Sequence, residues 1–191
     1  LTDAEKAQGW QLMFDGTTSS GWRGYNKKYF PAAWVVEDGT LRCRGDESRG
    51  EAGKTDGGDI VYAKMPFSDF DLRLEWKISI AGNSGIFYLG REVAGWPIYK
   101  SAPEMQILNN QNNPDSFRGK GGNRKAGALY DLIPANPQNT RPPGEWNSVE
   151  IICYQGNVVH RQNGVKVLEY QLWTPAWYAL VSKSKFPGMN P

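Results

Sequence analysis

One histidine and two cysteines are all that this chain of 191 residues offers in soft or nitrogen metal ligands, too few for a structural zinc site of the usual ligand count. No stretch approaches about 18 uninterrupted apolar residues, which excludes a membrane-spanning helix. Charge of one sign is also missing: 22 Lys and Arg stand against 20 Asp and Glu, a net +2. The electrostatic footprint expected of a nucleic-acid-binding domain is therefore absent. Long helical periodicity is scarce, and the one short candidate runs from Thr2 to Gln8, with Thr2 as cap and Glu5 answering it three residues on. The chain opens LTDAEKAQGW, which is no signal peptide and fits either a cytosolic protein or a processed secreted one.

What the chain does have is aromatic residues (8 Trp, 9 Tyr and 7 Phe) together with 22 Gly and 12 Pro. Short alternating runs broken by Gly, Pro, Asn and Asp read as an all-β sandwich, one domain over residues 1–191 with no repeat and no linker. Asp38-Gly39 and Asn163-Gly164 are signals for two-residue hairpins. Over residues 70–78, Phe70, Leu72, Leu74, Trp76 and Ile78 share one face, and Asp71, Arg73, Glu75 and Lys77 the other. Residues 82–85 (GNSG) read as a turn into a strand over 86–89. Further strands are expected over 60–63, 104–108, 146–154, 157–162 and 165–170. A tight turn at Asn163-Gly164 sets Gln162 against Val165, His160 against Val167 and Val158 against Glu169. Cys43 and Cys153 each fall in an alternating apolar run, so each is expected to face a core, with a disulfide as the alternative.

Chemistry concentrates at residues 103–109 (PEMQILN), where Glu104 and Gln106 project from one strand face. The spacing Glu-x-Gln-x-x-Asn resembles the bulged Glu-x-Asp-x-x-Glu strand of laminarinase-type β-glucanases, which are also sandwiches. Those enzymes need two carboxylates about 5 Å apart for retention. Gln106 and Asn109 are amides that neither attack nor protonate, which argues against that mechanism on this strand. Glu104 on a merely solvated face stays open beside a functional Glu104. Glu75 lies among alternating charges and reads equally as a paired surface residue. His160 is a natural general base near neutral pH and equally a satisfied structural histidine. Asn83 and Tyr88 flank a strand whose polar entry suits either a turn or a ligand contact.

Taken in order, residues 9–16 (GWQLMFDG), Gly21-Trp22, Trp34, Asp38-Gly39, 70–77, 82–88, 103–108, 127–130 (GALY), 144–147 (GEWN) and His160 through Gly164 resemble the bacterial 3-keto-disaccharide hydrolases. The resemblance covers nearly the whole chain. It implies a two-sheet antiparallel jelly-roll sandwich of the concanavalin A-like lectin/glucanase type, and an exported, carbohydrate-active protein in the periplasm or outside the cell. Two departures stand out. The family commonly has Asp where this chain has Asn109, and its usual closing segment with Gly-Leu-Gln-Asp-His-Gly is absent before Pro191.

The reading is a hydrolase of 3-keto-glycosides that acts by C2 proton abstraction, elimination and hydration. Its expected catalytic groups are Glu104 and His160, with Glu75 ranked lower. Gln106, Asn83, Tyr130, Asn109 and Tyr88 are the expected substrate contacts. No cofactor is required, although a divalent cation with oxygen ligands would also stabilise an enolate. The expected partner is an oligosaccharide or glycoside. The alternative is a non-catalytic carbohydrate-binding module on the same fold.

Overall fold

The structure is a computed structural model that describes residues 1–44 and 56–191. The chain divides into two compact units, residues 1–66 with 92–94, and residues 67–91 with 95–191. In the first unit, helix α1 (Asp3–Ala7) starts at the expected capping box, with Thr2 and Glu5 exchanging hydrogen bonds. Strands β1 (Trp22–Gly24) and β4 (Ile60–Tyr62) form one antiparallel pair, and β2 (Trp34–Glu37) and β3 (Thr40–Cys43) another. The β2–β3 turn works because Asp38 and Gly39 both adopt positive φ, 49° and 71°.

The second unit holds the larger core. Strand β5 (Phe70–Trp76) pairs with β8 (Asn147–Tyr154), which pairs with β9 (Asn157–Gln162), which pairs with β10 (Val165–Gln171), all antiparallel. A second sheet pairs β6 (Asn83–Phe87) with β7 (Glu104–Leu108). Both sheets contribute to one apolar core, with Trp76, Val149, Ile151 and Val158 from the first meeting Met105, Ile107 and Leu108 from the second. The alternation read in β5 does what it must: Trp76 is buried, and Phe70, Leu72, Leu74 and Ile78 pack against the core. The all-β antiparallel sandwich therefore stands, with little helix.

Four local expectations differ from the structure. A β-bulge between Lys166 and Leu168 shifts the β9–β10 register, so His160 faces Leu168 and Val158 faces Tyr170. The bulge lets the adjacent Val167 and Leu168 both be buried, and it takes Glu169 away from the position expected of it. Residues 83–85 are strand, not turn. The turn lies one step earlier, where Gly82 N–H donates to Ser79 O and Ala81 has φ 58°. Helix α2 (Pro175–Ser182) was not expected, although Thr174 as cap and Pro175 in the first turn announce it. Cys43 is exposed while Cys153 is buried, and both are free thiols. The periodicity placed Cys43 correctly on a strand, but β3 pairs with β2 alone among the described residues.

Ile151 is fully buried at the middle of the four-stranded sheet, between Leu72 and His160. Ile151→Ala should therefore lower the unfolding free energy by about 2–5 kcal/mol. Urea titration should show the shift in midpoint with an unchanged slope.

Candidate active-site cleft

Residues 127–130 run beside β7 like a short extra strand. Gly127 N–H donates to Gln106 O, Gln106 N–H to Ala128 O, and Tyr130 N–H to Glu104 O. This pairing is what sets Tyr130 next to Glu104. The two residues line a cleft of about 340 Å³ with Tyr99, Lys185 and Phe186. Glu104 is the one carboxylate among these five, and Lys185 the one cation.

A glycine decides where the Glu104 carboxylate lies. In the β6–β7 register Phe87 faces Glu104 and Gly85 faces Gln106. The Glu104 side chain leans across to Gly85, where an added Cβ would sit 1.9 Å from Oε1. Only an absent side chain leaves that space.

Behind the cleft lies a set of buried charges. Arg124 donates from Nε to Asp131 at 2.6 Å and from a terminal nitrogen to Asp115 at 3.0 Å. The three side chains are only 16 %, 13 % and 8 % exposed for Arg124, Asp115 and Asp131, so each charge needs its partner. Each carboxylate then holds one cleft residue. Tyr130 O–H donates to Asp115 Oδ2 at 2.5 Å, and Asp131 Oδ2 accepts the Lys185 backbone N–H at 2.8 Å. Lys185 Nζ in turn donates to the Tyr130 oxygen at 2.8 Å and lies 4.3 Å from the centre of its ring. Tyr99 and Phe186 (ring centres 5.5 Å apart) and Tyr130 and Phe186 (6.1 Å) tile the aromatic wall.

Burial pushes Lys185 below the usual lysine range, and nearby Arg124 adds to this against the pull of Asp115, Asp131 and Glu104. Burial and the bond to Asp115 raise Tyr130, so its hydroxyl stays protonated. Burial raises Asp115, but Tyr130 and Arg124 outweigh it and hold the carboxyl ionised.

The other expected site residues lie elsewhere. His160 is sealed in the core of the second unit, and both of its ring nitrogens are engaged. Nδ1 lies 3.3 Å from Gly127 O, and Nε2 lies 2.8 Å from Tyr88 O, which is 2.6 Å from Tyr170 O. A carbonyl only accepts, so neutral His160 carries its proton on Nδ1, and Tyr88 donates to Nε2 while accepting from Tyr170. His160 and Tyr88 are thus a satisfied network inside the core. Gln106 is buried, its Nε2 donating to Asn83 Oδ1 at 3.3 Å, while Asn83 is exposed. Asn109 is also buried, and its Oδ1 accepts the Ala81 N–H at 2.9 Å to clamp the turn before β6. Glu75 is exposed on the outer face of β5, opposite Ser148. A depression of about 290 Å³ on that outer face is lined by Arg73, Ser148, Glu150 and Arg161 among others. Glu150 bridges Arg73 and Arg161 there, and no aromatic ring lines it.

Sequence reasoning missed Tyr99, Asp115, Arg124, Asp131, Lys185 and Phe186. Among the described residues, no three of His, Cys, Asp or Glu converge as metal ligands.

The second unit thus brings a carboxylate, an amine and an aromatic wall together in one cleft. The profile of the 3-keto-alpha-glucoside-1,2-lyase-like domain matches residues 9–188, and the chain belongs to that family. A Bacteroides thetaiotaomicron protein named 3-keto-disaccharide hydrolase is 50 % identical over 189 residues, 94 % of this chain. The chain spans 64 % of that relative's length. Among solved structures, a Parabacteroides distasonis protein described as a candidate glycosyl hydrolase superimposes with a TM-score of 0.83 at 29 % identity, covering 100 % of this chain and 86 % of its own. A second such protein from the same organism matches at TM-score 0.59 and 27 % identity, over 78 % of this chain and 72 % of its own.

The sealed histidine has a measurable consequence. Burial pushes the His160 pKa down to about 4, against 6.5 for the free side chain. Between those values the unfolded chain binds a proton that the folded one refuses, so stability rises with pH across this window. The contribution is complete above about pH 6.5 and is lost as pH falls toward 4, a change of about 3 kcal/mol at most. His160 is the sole histidine, so its imidazole NMR signals need no assignment by mutation. They should stay unshifted from pH 8 to pH 5.5, while urea titrations show stability falling below pH 6.5.

Proposed function

We propose that this protein cleaves 3-keto-glycosides, with Glu104 as the base that removes the C2 proton. The observation that carries the proposal is one carboxylate and one amine facing the same aromatic cleft, without a second carboxylate among the lining residues. A displacement by paired carboxylates has no second partner there. Elimination needs none. A ketone at C3 acidifies the hydrogen at C2. The Glu104 carboxylate takes that proton, the electron pair forms the C1–C2 double bond, and the C1–O bond breaks. The departing alkoxide takes a proton back from Glu104. Water then adds at C1 as C2 is reprotonated, and the sum is hydrolysis.

Lys185 is the cationic group available to the C3 oxygen, and Tyr130 holds it in place. Stabilising charge where it develops is commonly the largest contribution to such a step. Tyr99 and Phe186 offer ring faces for the pyranose. The name of the Bacteroides relative supports the substrate class. Action in the periplasm or outside the cell fits a carbohydrate substrate, and among the described residues no helix is long and apolar enough to cross a membrane.

Glu104→Gln should lower turnover of a 3-keto-disaccharide by about 10²–10⁴-fold with an unchanged melting curve. In heavy water, deuterium should appear at C2 of the released keto-sugar. Complete retention of the original C2 hydrogen would exclude the elimination. Binding of the keto-sugar without release would instead mark a carbohydrate-binding module.

Gly85→Ala tests the same carboxylate from behind. The three atoms nearest the new Cβ all belong to the flexible Glu104 side chain, from Oε1 at 1.9 Å to Cγ at 2.7 Å, so the protein should fold while Glu104 is displaced. Turnover should fall by at least about tenfold, a misplacement effect. Wild-type activity in this variant would show that the position of Glu104 does not matter.

A further inference from the structure

We infer that Lys185 acts as a covalent catalyst, its Nζ condensing with the C3 ketone of the substrate to form a ketimine before Glu104 removes the C2 proton. The inference rests on the proposed function, and it assigns to the cleft's amine a step that elimination alone does not require.

Four observations carry it. Lys185 Nζ lines the cleft that holds Glu104, so base and amine address one bound sugar. Lys185 is exposed, three residues beyond the end of α2, and its backbone N–H is held by Asp131. The Tyr130 oxygen lies 2.8 Å from Nζ and its proton points to Asp115 at 2.5 Å, so a relay runs from the amine through the hydroxyl to a carboxylate. Burial, and after it the positive charge of Arg124, disfavour the ammonium form against the pull of Asp115, Asp131 and Glu104. An amine nucleophile in a partly desolvated pocket beside another cation is a known route to activation.

The chemistry balances. Neutral Nζ attacks C3, and the carbonyl oxygen becomes the hydroxyl of a carbinolamine. That hydroxyl leaves as water on protonation, giving a protonated ketimine. The iminium acidifies C2–H more than the ketone does. Glu104 takes the proton, the C1–O bond breaks, and water adds at C1. Hydrolysis of the iminium then returns the ketone with an oxygen from solvent and regenerates Lys185. Every turnover by this route exchanges the C3 oxygen.

The test combines three readouts on the intact protein with a 3-keto-disaccharide. In water enriched in ¹⁸O, the C3 oxygen of the released keto-sugar should carry label beyond the exchange measured without enzyme. Cyanoborohydride should trap the adduct, adding a sugar mass to the peptide that contains Lys185, and the unoxidised disaccharide should add none. Lys185→Arg keeps the charge and loses the nucleophile; it should abolish trapping and strongly reduce turnover. Release with deuterium at C2 but no ¹⁸O at C3 and no trapping would overturn the ketimine and leave the elimination intact. Lys185→Arg turnover within about threefold of wild type would also overturn it. Trapping at Lys185 without release or C2 exchange would support the amine and sink the elimination. Absence of all three signals would overturn both.

Discussion

The cleft depends on a single guanidinium. Arg124 sits between Asp115 and Asp131, and none of the three side chains is more than 16 % exposed. Removing two carboxylates from water is costly unless each is paired and hydrogen-bonded, and one Arg fork does this for both. The remaining oxygens then become fixed acceptors. One holds the Tyr130 hydroxyl and the other the Lys185 backbone, residues 55 positions apart in the chain. Burial lowers the proton affinity of the Lys185 amine, and the same cation adds to that.

Much of the fold was legible because it is written in short-range chemistry. The β5 alternation, the Asp38-Gly39 and Asn163-Gly164 turns and the Thr2–Glu5 capping box each involve residues within a few positions of one another, and each appears in the structure. The failures share a different cause. The bulge at Val167 follows from the need to bury two consecutive apolar residues, which a strict period of two forbids. Whether Cys43 is covered depends on strands that its own alternation does not specify. Local pattern identifies a strand but leaves open what packs on it.

At the cleft the division is sharper. Glu104 could be picked out from its strand face and its spacing to Gln106 and Asn109, and Tyr130 because its segment matches a family. His160 attracted attention as the lone histidine, but a chemically apt side chain says nothing about access. Its neighbours Tyr88 and Tyr170 absorb its hydrogen bonds within the core. Lys185 and Phe186 come from the segment after α2, where no periodicity or spacing marks them. They meet Tyr130 directly, and the Asp131 contact holds the segment there, all tertiary facts. Asp115, Arg124 and Asp131 read in sequence as ordinary loop charges.

The amides at 106 and 109 do more than remove two carboxylates. Gln106 is 1 % exposed and Asn109 is 3 % exposed. A glutamate at 106 would be a sealed anion beside the Asn83 amide, and such a charge would be neutralised or expelled. Asn109 spends its oxygen on the Ala81 N–H to close the turn that starts β6. Neither position faces the open volume that Glu104 faces. The strand that supplies two acids in a glucanase has room here for one, because its next two polar positions are absorbed into the protein. A lone carboxylate cannot both attack and protonate, but it can remove a proton that the substrate has already made acidic. The burial of two amides on β7 and after it thus supports a substrate whose own carbonyl does part of the work.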